Sequence, residues 1–500
     1  MPDPSALPPP APAAPPPPPE DRLVRTVHAA VVDGRELAYT VTCGTIVLRE
    51  ESETKEGDKA GTSEGDKPRA EVSVIAYTLD GVQDRTDRPV TFAFNGGPGS
   101  ASVWLHLGCL GPRRARVRED VMSGPFRLED NAYSLLDVSD LVFIDPVSTG
   151  FSRALVGEQA KQFHGFQRDI ESVAEVIRLW TTRNRRWTSP KFLAGESYGT
   201  TRGTGVAAYL QDRFGLYLNG LMLISCALDF GQLEFDRGND LPYIGFLPTY
   251  AATAWYHKRL APDLQADLRA TVAEVEEFAV TDYAVALARG ARLPDDERAR
   301  IIAQLARYTG LSEDYIDRSD LRISDQRFFK ELLRPERRTV GRIDSRFLGI
   351  DRDAAGETPE DDPSIGPVYA PFAATLNDYV RGELEFETDR AYEVLHPTLW
   401  KDWSYADHEN KYVDVGETLR KTMTANPSLK VFVASGYYDL ATPHFTTDAV
   451  INRLGLDATL QDNITTRYYE AGHMMYIHEP SLAALKADLA AFVAGAIPAA

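Results

Sequence analysis

The sequence predicts an α/β protein, built on a doubly wound, mostly parallel sheet with a helical cap insertion late in the chain. Three observations carry this. Short β-branched and aromatic runs, Val90–Phe94 (VTFAF) and Leu141–Ile144 (LVFI), end in Gly/Pro-rich turns, as buried parallel strands do. From residue 168 to 225 strand and helix patterns alternate. The alternation then stops, and residues 229–404 read as amphipathic helix with no comparable buried strand.

The elements follow in order. Residues 1–20 are dominated by Pro and Ala, a composition that favours extended, unpacked chain, and are expected to be a disordered tail. Two apolar-rich segments, around Val27–Leu48 and Val72–Thr78, flank a polar stretch (ESETKEGDKAGTSEGDKPRAE) with too little apolar surface to order itself, expected as a mobile hairpin loop. Between Arg168 and Arg183, Ile170, Val173, Ile177 and Trp180 recur at helical spacing. KFLAG (Lys191–Gly195) reads as a strand, TTRGTGVAAYLQDRF as a helix and LMLIS (Leu221–Ser225) as another strand. In the insertion, Pro262–Ala286 and Asp295–Tyr308 are helical; strand character returns at Leu429–Ala434 and Ile464–Tyr469. The expected organisation is a core of residues 21–228 and 405–500 with a cap, 229–404, over the carboxyl ends of the strands, where open α/β sheets bind ligands.

The bulk numbers narrow the function. Five hundred residues, 43% hydrophobic and 26% charged, are ordinary for a globular protein. A net charge of −20 repels phosphate backbones and argues against nucleic acid as a partner. Three cysteines, Cys43, Cys109 and Cys226, cannot all pair and match no zinc spacing. No run approaches eighteen apolar residues, which argues against a membrane span, and the N-terminus as written lacks the regions of a signal peptide. As written the expected compartment is the cytoplasm; a secreted or periplasmic location requires a different N-terminus.

The strongest local signal is Gly195-Glu196-Ser197-Tyr198-Gly199, between a strand and a helix. A serine hydroxyl becomes a nucleophile only when exposed beside a base, and a sharp strand-to-helix turn supplies the exposure. The same turn leaves the Tyr198 N–H at a helix start, where it can face a developing oxyanion. The partners are expected downstream in the order acid, then histidine. Asp439 lies just past the strand-like LKVFVA, and His473 lies in EAGHMM, 34 residues further on. His473 is the expected base and Asp439 the residue that orients it. His444 and His478 are rival histidines and Asp448 a rival acid. Upstream, Asn95-Gly96-Gly97-Pro98-Gly99-Ser100 follows the strand VTFAF at once, where an α/β-hydrolase carries its second oxyanion donor.

Together these residues resemble the serine carboxypeptidase family of the α/β-hydrolase superfamily, with a bacterial flavour in the TTRG that continues GESYG. The resemblance covers roughly residues 70–228 and 400–485. It rests on FNGGPGSAS, LGP at 110–112, FIDPVSTGFS at 143–152, GESYG, ASGYYDLATP and AGHMMYIHEP. It implies a serine exopeptidase with no metal and no organic cofactor, acting on peptides with a free C-terminus. By position, Gly97 and Tyr198 are the oxyanion donors, and Asn95, the Gly96 N–H and Glu196 hold the terminal carboxylate. Glu196 can hold an anion well only if one of the two is protonated, which implies an acid optimum. Cys109 stands where many members carry a second glutamate beside the first. That departure weakens the case for a strongly raised Glu196 and moves the expected optimum towards neutrality. Ser100 replaces a disulfide cysteine of many members, and Thr442 a cysteine of the acyl-side pocket in some, so substrate preference does not transfer. An esterase or acyltransferase on the same scaffold, or an inactive binding relative, are the competing readings; neither the preference on either side of the cleaved bond nor the oligomeric state is legible.

Overall fold

The computed structural model describes residues 19–53, 63–117 and 123–498. Most of the Pro-rich tail, and the tip of the polar hairpin, lie outside them.

A twisted sheet runs through the molecule. In chain order its strands are β1 (Arg22–Val32), β2 (Arg35–Glu53), β3 (Ser63–Leu79), β4 (Val90–Phe94), β5 (Asp140–Ile144), β6 (Lys191–Ser197), β7 (Gly220–Cys226), β8 (Lys430–Gly436) and β9 (Ile464–Tyr469). Their spatial order is β1-β2-β3-β5-β4-β6-β7-β8-β9, with the two-residue segment Arg153–Ala154 appended to β3. Pairing is antiparallel from β1 to β5 and parallel from β5 to β9. The polar stretch after residue 48 is strand for longer than its composition suggests. β2 and β3 stay paired from Tyr39↔Leu79 out to Glu53↔Ser63, because a ladder of backbone hydrogen bonds can extend past the last buried side chain.

The parallel strands are apolar throughout because helices cover both faces. Alternate residues diverge: Phe92, Val142, Leu193, Leu223 and Val433 join one apolar cluster, while Ala93, Phe143, Ala194, Met222 and Phe432 join the other. The first face packs against α1 (Phe166–Arg183), α2 (Tyr198–Phe214) and part of α7 (Gly416–Ala425). The second is covered by α6 (Ile365–Gly382) and α8 (Glu479–Gly495). Between β7 and β8 the chain also forms α3 (Leu241–Tyr256), α4 (Leu268–Phe278) and α5 (Asp295–Thr309), which share a separate apolar cluster. This stretch holds one short hairpin, Arg338–Val340 with Leu348–Ile350, that its helical periodicity does not foretell. Among the described residues no helix is long and apolar enough to cross a membrane.

Candidate active site

Four loops at the carboxyl ends of parallel strands meet above the sheet. They follow β4 (from Asn95), β6 (at Ser197), β8 (to Asp439) and β9 (to His473). Ser197 closes β6 and opens α2 with φ 60° and ψ −132°, a conformation that costs a non-glycine residue about 1–3 kcal/mol. The turn is so tight that a Cβ on Gly195 would stand 2.1 Å from the Gly199 carbonyl oxygen, which explains the small flanking residue. The loop after β4 lies directly on this elbow: a Cβ on Gly96 would stand 2.4 Å from the Tyr198 nitrogen. The backbone of residues 95–97 is thereby brought beside the start of α2, whose first N–H groups have no helical partner.

Asp439 and His473 meet directly, with Nδ1 of His473 2.7 Å from Oδ2 of Asp439. Asp439 is fully buried, and its orientation is set by the N–H groups of Ala441 (2.8 Å) and Thr442 (3.0 Å) on Oδ1 and by the Thr442 hydroxyl (2.8 Å) on Oδ2. Hydrogen bonds to a charged acceptor contribute about 1.5–3 kcal/mol each. Burial, the largest influence on His473, opposes its charged form; Asp439, through charge and hydrogen bond, and Glu196 outweigh it and leave the imidazole pKa above its ordinary value. The rivals are engaged elsewhere: His444 pairs with Glu276 at 2.9 Å, His478 with the Ser481 hydroxyl at 2.8 Å, and Asp448 accepts from the Tyr468 hydroxyl at 2.9 Å.

Asn95 donates through Nδ2 to Glu196 Oε1 at 3.0 Å and accepts the Leu105 N–H on its own Oδ1 at 3.0 Å, so its amide is oriented. Glu196 is buried, and that burial pushes its carboxyl up to about 7; His473, the Tyr476 hydroxyl and Asn95 pull down and Asp439 adds to the rise. The sequence reading ties a raised Glu196 to a neighbouring carboxylate. The structure supplies the shift through burial, with Cys109 buried nearby as a neutral thiol. Oε2 of Glu196 and the Tyr476 hydroxyl are both buried, and the hydroxyl lies close enough to the carboxyl to act on it.

Residues 77–214, which hold the nucleophile elbow and the glycine-rich loop, match the sequence model of the serine carboxypeptidase family. Over that segment the chain is similar to that family. No curated protein sequence matches it. Among solved structures it is similar to Kex1(delta)p, a prohormone-processing carboxypeptidase from Saccharomyces cerevisiae, with 17% identity, a TM-score of 0.55 and 91% of each chain covered. A proline iminopeptidase from Mycobacterium smegmatis matches at 13% identity and a TM-score of 0.38, covering 89% of this chain and 98% of its own. A carboxyl esterase from Bacillus coagulans matches at 11% identity and a TM-score of 0.34, covering 90% and 99%. The fold is that of the α/β-hydrolases, and the matched segment is similar to serine carboxypeptidases.

Two cavities flank Ser197 and share Gly97, Pro98, Ser197, Arg342 and Trp400. One, about 540 Å³, holds Asn95, Glu196 and His473 against an apolar wall that includes Trp104, Val368 and Met474. The other, about 610 Å³, holds Tyr198 and Thr442 and mixes aromatic side chains with the carboxylates of Glu234, Asp236 and Asp325. Among the described residues no group of three or more His, Cys, Asp or Glu side chains is arranged to hold a metal ion.

Sequence reasoning missed Arg202. Its guanidinium, fully buried, pairs with Asp169 (Nε–Oδ2 2.7 Å), donates to the Asn95 carbonyl at 2.5 Å and lies over the rings of Phe94 and Tyr198. It ties α1, α2 and the loop after β4 together under the elbow. The TTRG continuation of GESYG was the available signal, but a lone arginine on a helix says nothing of a partner 33 residues upstream.

Proposed function

We propose that this chain is a serine carboxypeptidase that releases the C-terminal residue of peptides through Ser197, His473 and Asp439. The observation that carries the reading is the Asn95–Glu196 pair, buried on the wall of the same cavity as Ser197 and His473. An esterase has no evident need for a protonatable carboxyl beside an oriented amide there.

In the proposed reaction His473 Nε2 takes the Ser197 hydroxyl proton as Oγ attacks the scissile carbonyl. The Gly97 and Tyr198 N–H groups receive the oxyanion. The C–N bond then breaks, the imidazolium returns its proton to the departing amine, and Ser197 holds the acyl group as an ester. Water, deprotonated by the same imidazole, hydrolyses that ester and restores the serine. Asp439 keeps the tautomer and stabilises the imidazolium. The Asn95 side chain, the Gly96 N–H and protonated Glu196 hold the terminal carboxylate. The cavity with Glu196 then takes the leaving residue and the cavity with Tyr198 the acyl side. Within residues 229–404, the part that holds α3, α4 and α5 is proposed as a cap that favours short peptides, whereas α6 in the same range packs on the sheet.

The test is release of the C-terminal residue from an N-blocked dipeptide between about pH 4 and 8, the range in which histidine and a raised carboxyl titrate. It is compared with Ser197→Ala and with the C-terminally amidated dipeptide. Release that needs Ser197 and is greatly slowed by amidation is the expected result. Cleavage of simple esters through Ser197 with the dipeptide untouched rejects the peptidase in favour of an esterase or acyltransferase.

A further inference from the structure

Four consecutive residues of the long segment between β7 and β8 each hold one of the two loops that carry Asp439 and His473. The Arg342 carbonyl accepts from Leu440 N–H at 3.0 Å, and Ser345 N–H donates to the Tyr438 carbonyl at 3.0 Å, so both ends of this run grip the loop of the acid. The Ile343 carbonyl accepts from His473 N–H at 2.7 Å, and Asp344 Oδ2 accepts from Gly472 N–H at 3.2 Å, so the middle grips the loop of the histidine. The loops also touch directly, Tyr438 N–H reaching the Ala471 carbonyl at 3.0 Å, and the Ser225 hydroxyl donates to the His473 carbonyl at 2.7 Å.

We infer that Asp344 is a positioning residue for His473, setting the height of the histidine loop against the acid loop through Gly472. The result is one rigid bracket made from a part of the chain remote from either loop. Asp344 is the one member of the run that acts through a side chain, and it is built to be immobile. It is buried, and Arg346 engages it with Nε at 2.9 Å to Oδ1 and a terminal nitrogen at 2.6 Å to Oδ2, while lying over the Tyr438 ring. Gly472 leaves no space between them: a Cβ there would stand 2.5 Å from the Asp344 Cβ. The His473–Asp439 bond at 2.7 Å therefore depends on a contact outside both catalytic loops. A displacement of about 1 Å at a remote support is enough to cost about 100-fold in rate.

This inference rests on the proposed triad but not on the substrate class, so its test uses a reagent that needs only nucleophile and base. The rate constant for inactivation of Ser197 by a fluorophosphonate is measured against pH for wild type, Asp344→Ala and Asp344→Asn, with Ser197→Ala as blank. The groups that face His473 are Asp439 and Glu196, which raise its pKa, and Arg342, which lowers it alongside burial, the largest influence. Loosening the Asp439 contact leaves burial less opposed, so the limb on which His473 loses its proton moves to lower pH. The expected result for Asp344→Ala is a rate about 10- to 100-fold lower on the plateau with that limb displaced. Asp344→Asn, whose amide oxygen still accepts from Gly472, recovers most of the rate. A folded Asp344→Ala with the wild-type rate and limb overturns the inference. Should that variant fail to fold, Arg346→Gln, which frees the carboxylate without deleting it, decides in the same way. A wild type that reacts equally fast without Ser197 overturns the triad, and the bracket's role with it.

Discussion

Asn95 Nδ2 donates to Glu196 Oε1 at 3.0 Å, while the Tyr476 hydroxyl, buried beside the same carboxyl, opposes the rise that burial imposes on it. With burial holding Glu196 at about 7, the group is protonated below neutrality and can donate to a second carboxylate; above it, two anions face each other. KM for a peptide with a free C-terminus is therefore expected to rise as pH climbs through about 7, and KM for its amide is not. The ratio of kcat/KM for acid and amide isolates this effect from the titration of His473, which both substrates share. Glu196→Gln, which cannot ionise, should flatten the ratio. A flat ratio in the wild type from about pH 5.5 to 9 means that Glu196 does not hold the carboxylate.

Asp439→Asn keeps the size of the side chain but lets an amide meet Nδ1, so the wrong tautomer of His473 is favoured. A drop of about 10⁴-fold in kcat is expected, with a KM close to that of wild type. Steady-state kinetics checks it; a drop of less than tenfold would point to a different acid.

The apolar wall of Trp104, Val368 and Met474 in the cavity with Glu196 favours a bulky apolar leaving residue. Blocked dipeptides ending in Phe or Leu should be cleaved with kcat/KM about tenfold or more above those ending in Lys or Glu, as expected when a charged side chain enters an apolar pocket. Val368→Trp fills the pocket, and should abolish release of Phe while sparing release of Gly. Equal rates for Phe and Lys in the wild type would reassign the pocket.

Arg202 and Asp169 are both buried, and burial is the main influence raising the Asp169 carboxyl against the pull of Arg202. Removing one partner leaves a charge without its counterpart, so Arg202→Ala should cost about 3–5 kcal/mol in urea unfolding. Arg202→Met with Asp169→Leu, which removes both charges, should recover much of that loss. A cost below about 1 kcal/mol for the single change means that the pair contributes little to holding the elbow.

Cys43, Cys109 and Cys226 are all buried free thiols, and burial pushes Cys43 up to about 12 and raises the other two. Since the thiolate is the reactive form, native protein should show no fast reaction with a thiol-selective disulfide reagent, and three equivalents after denaturation. Activity should survive that treatment. Rapid modification with loss of activity would place a thiol within reach of the site.

What was legible from residue order was whatever the chain encodes over a few neighbours. VTFAF, LVFI, KFLAG and LMLIS are strands because runs of β-branched and aromatic residues are stable when buried on both sides of a sheet. The helix after GESYG follows from its apolar spacing. The elbow could be read because a positive φ at Ser197 and the close approach at Gly195 leave few residues possible at those positions. The polar run after residue 48 was misjudged as loop because composition reports on side-chain burial, whereas the paired backbone reaches Glu53↔Ser63.

The sequence by itself thus determined the parallel strands and the sharp turn at Ser197, which are short-range patterns, and pointed to Asp439 and His473 by their place after later strands. Chain order led to the expectation that Asp439 meets His473, as it does; tertiary structure alone decided that His444 meets Glu276. It alone brought Arg202 under Asn95, and residues 342–345 between the loops of Asp439 and His473. Those contacts join residues tens to over a hundred positions apart, some of them through backbone groups that every residue possesses, and so leave no local pattern in the sequence.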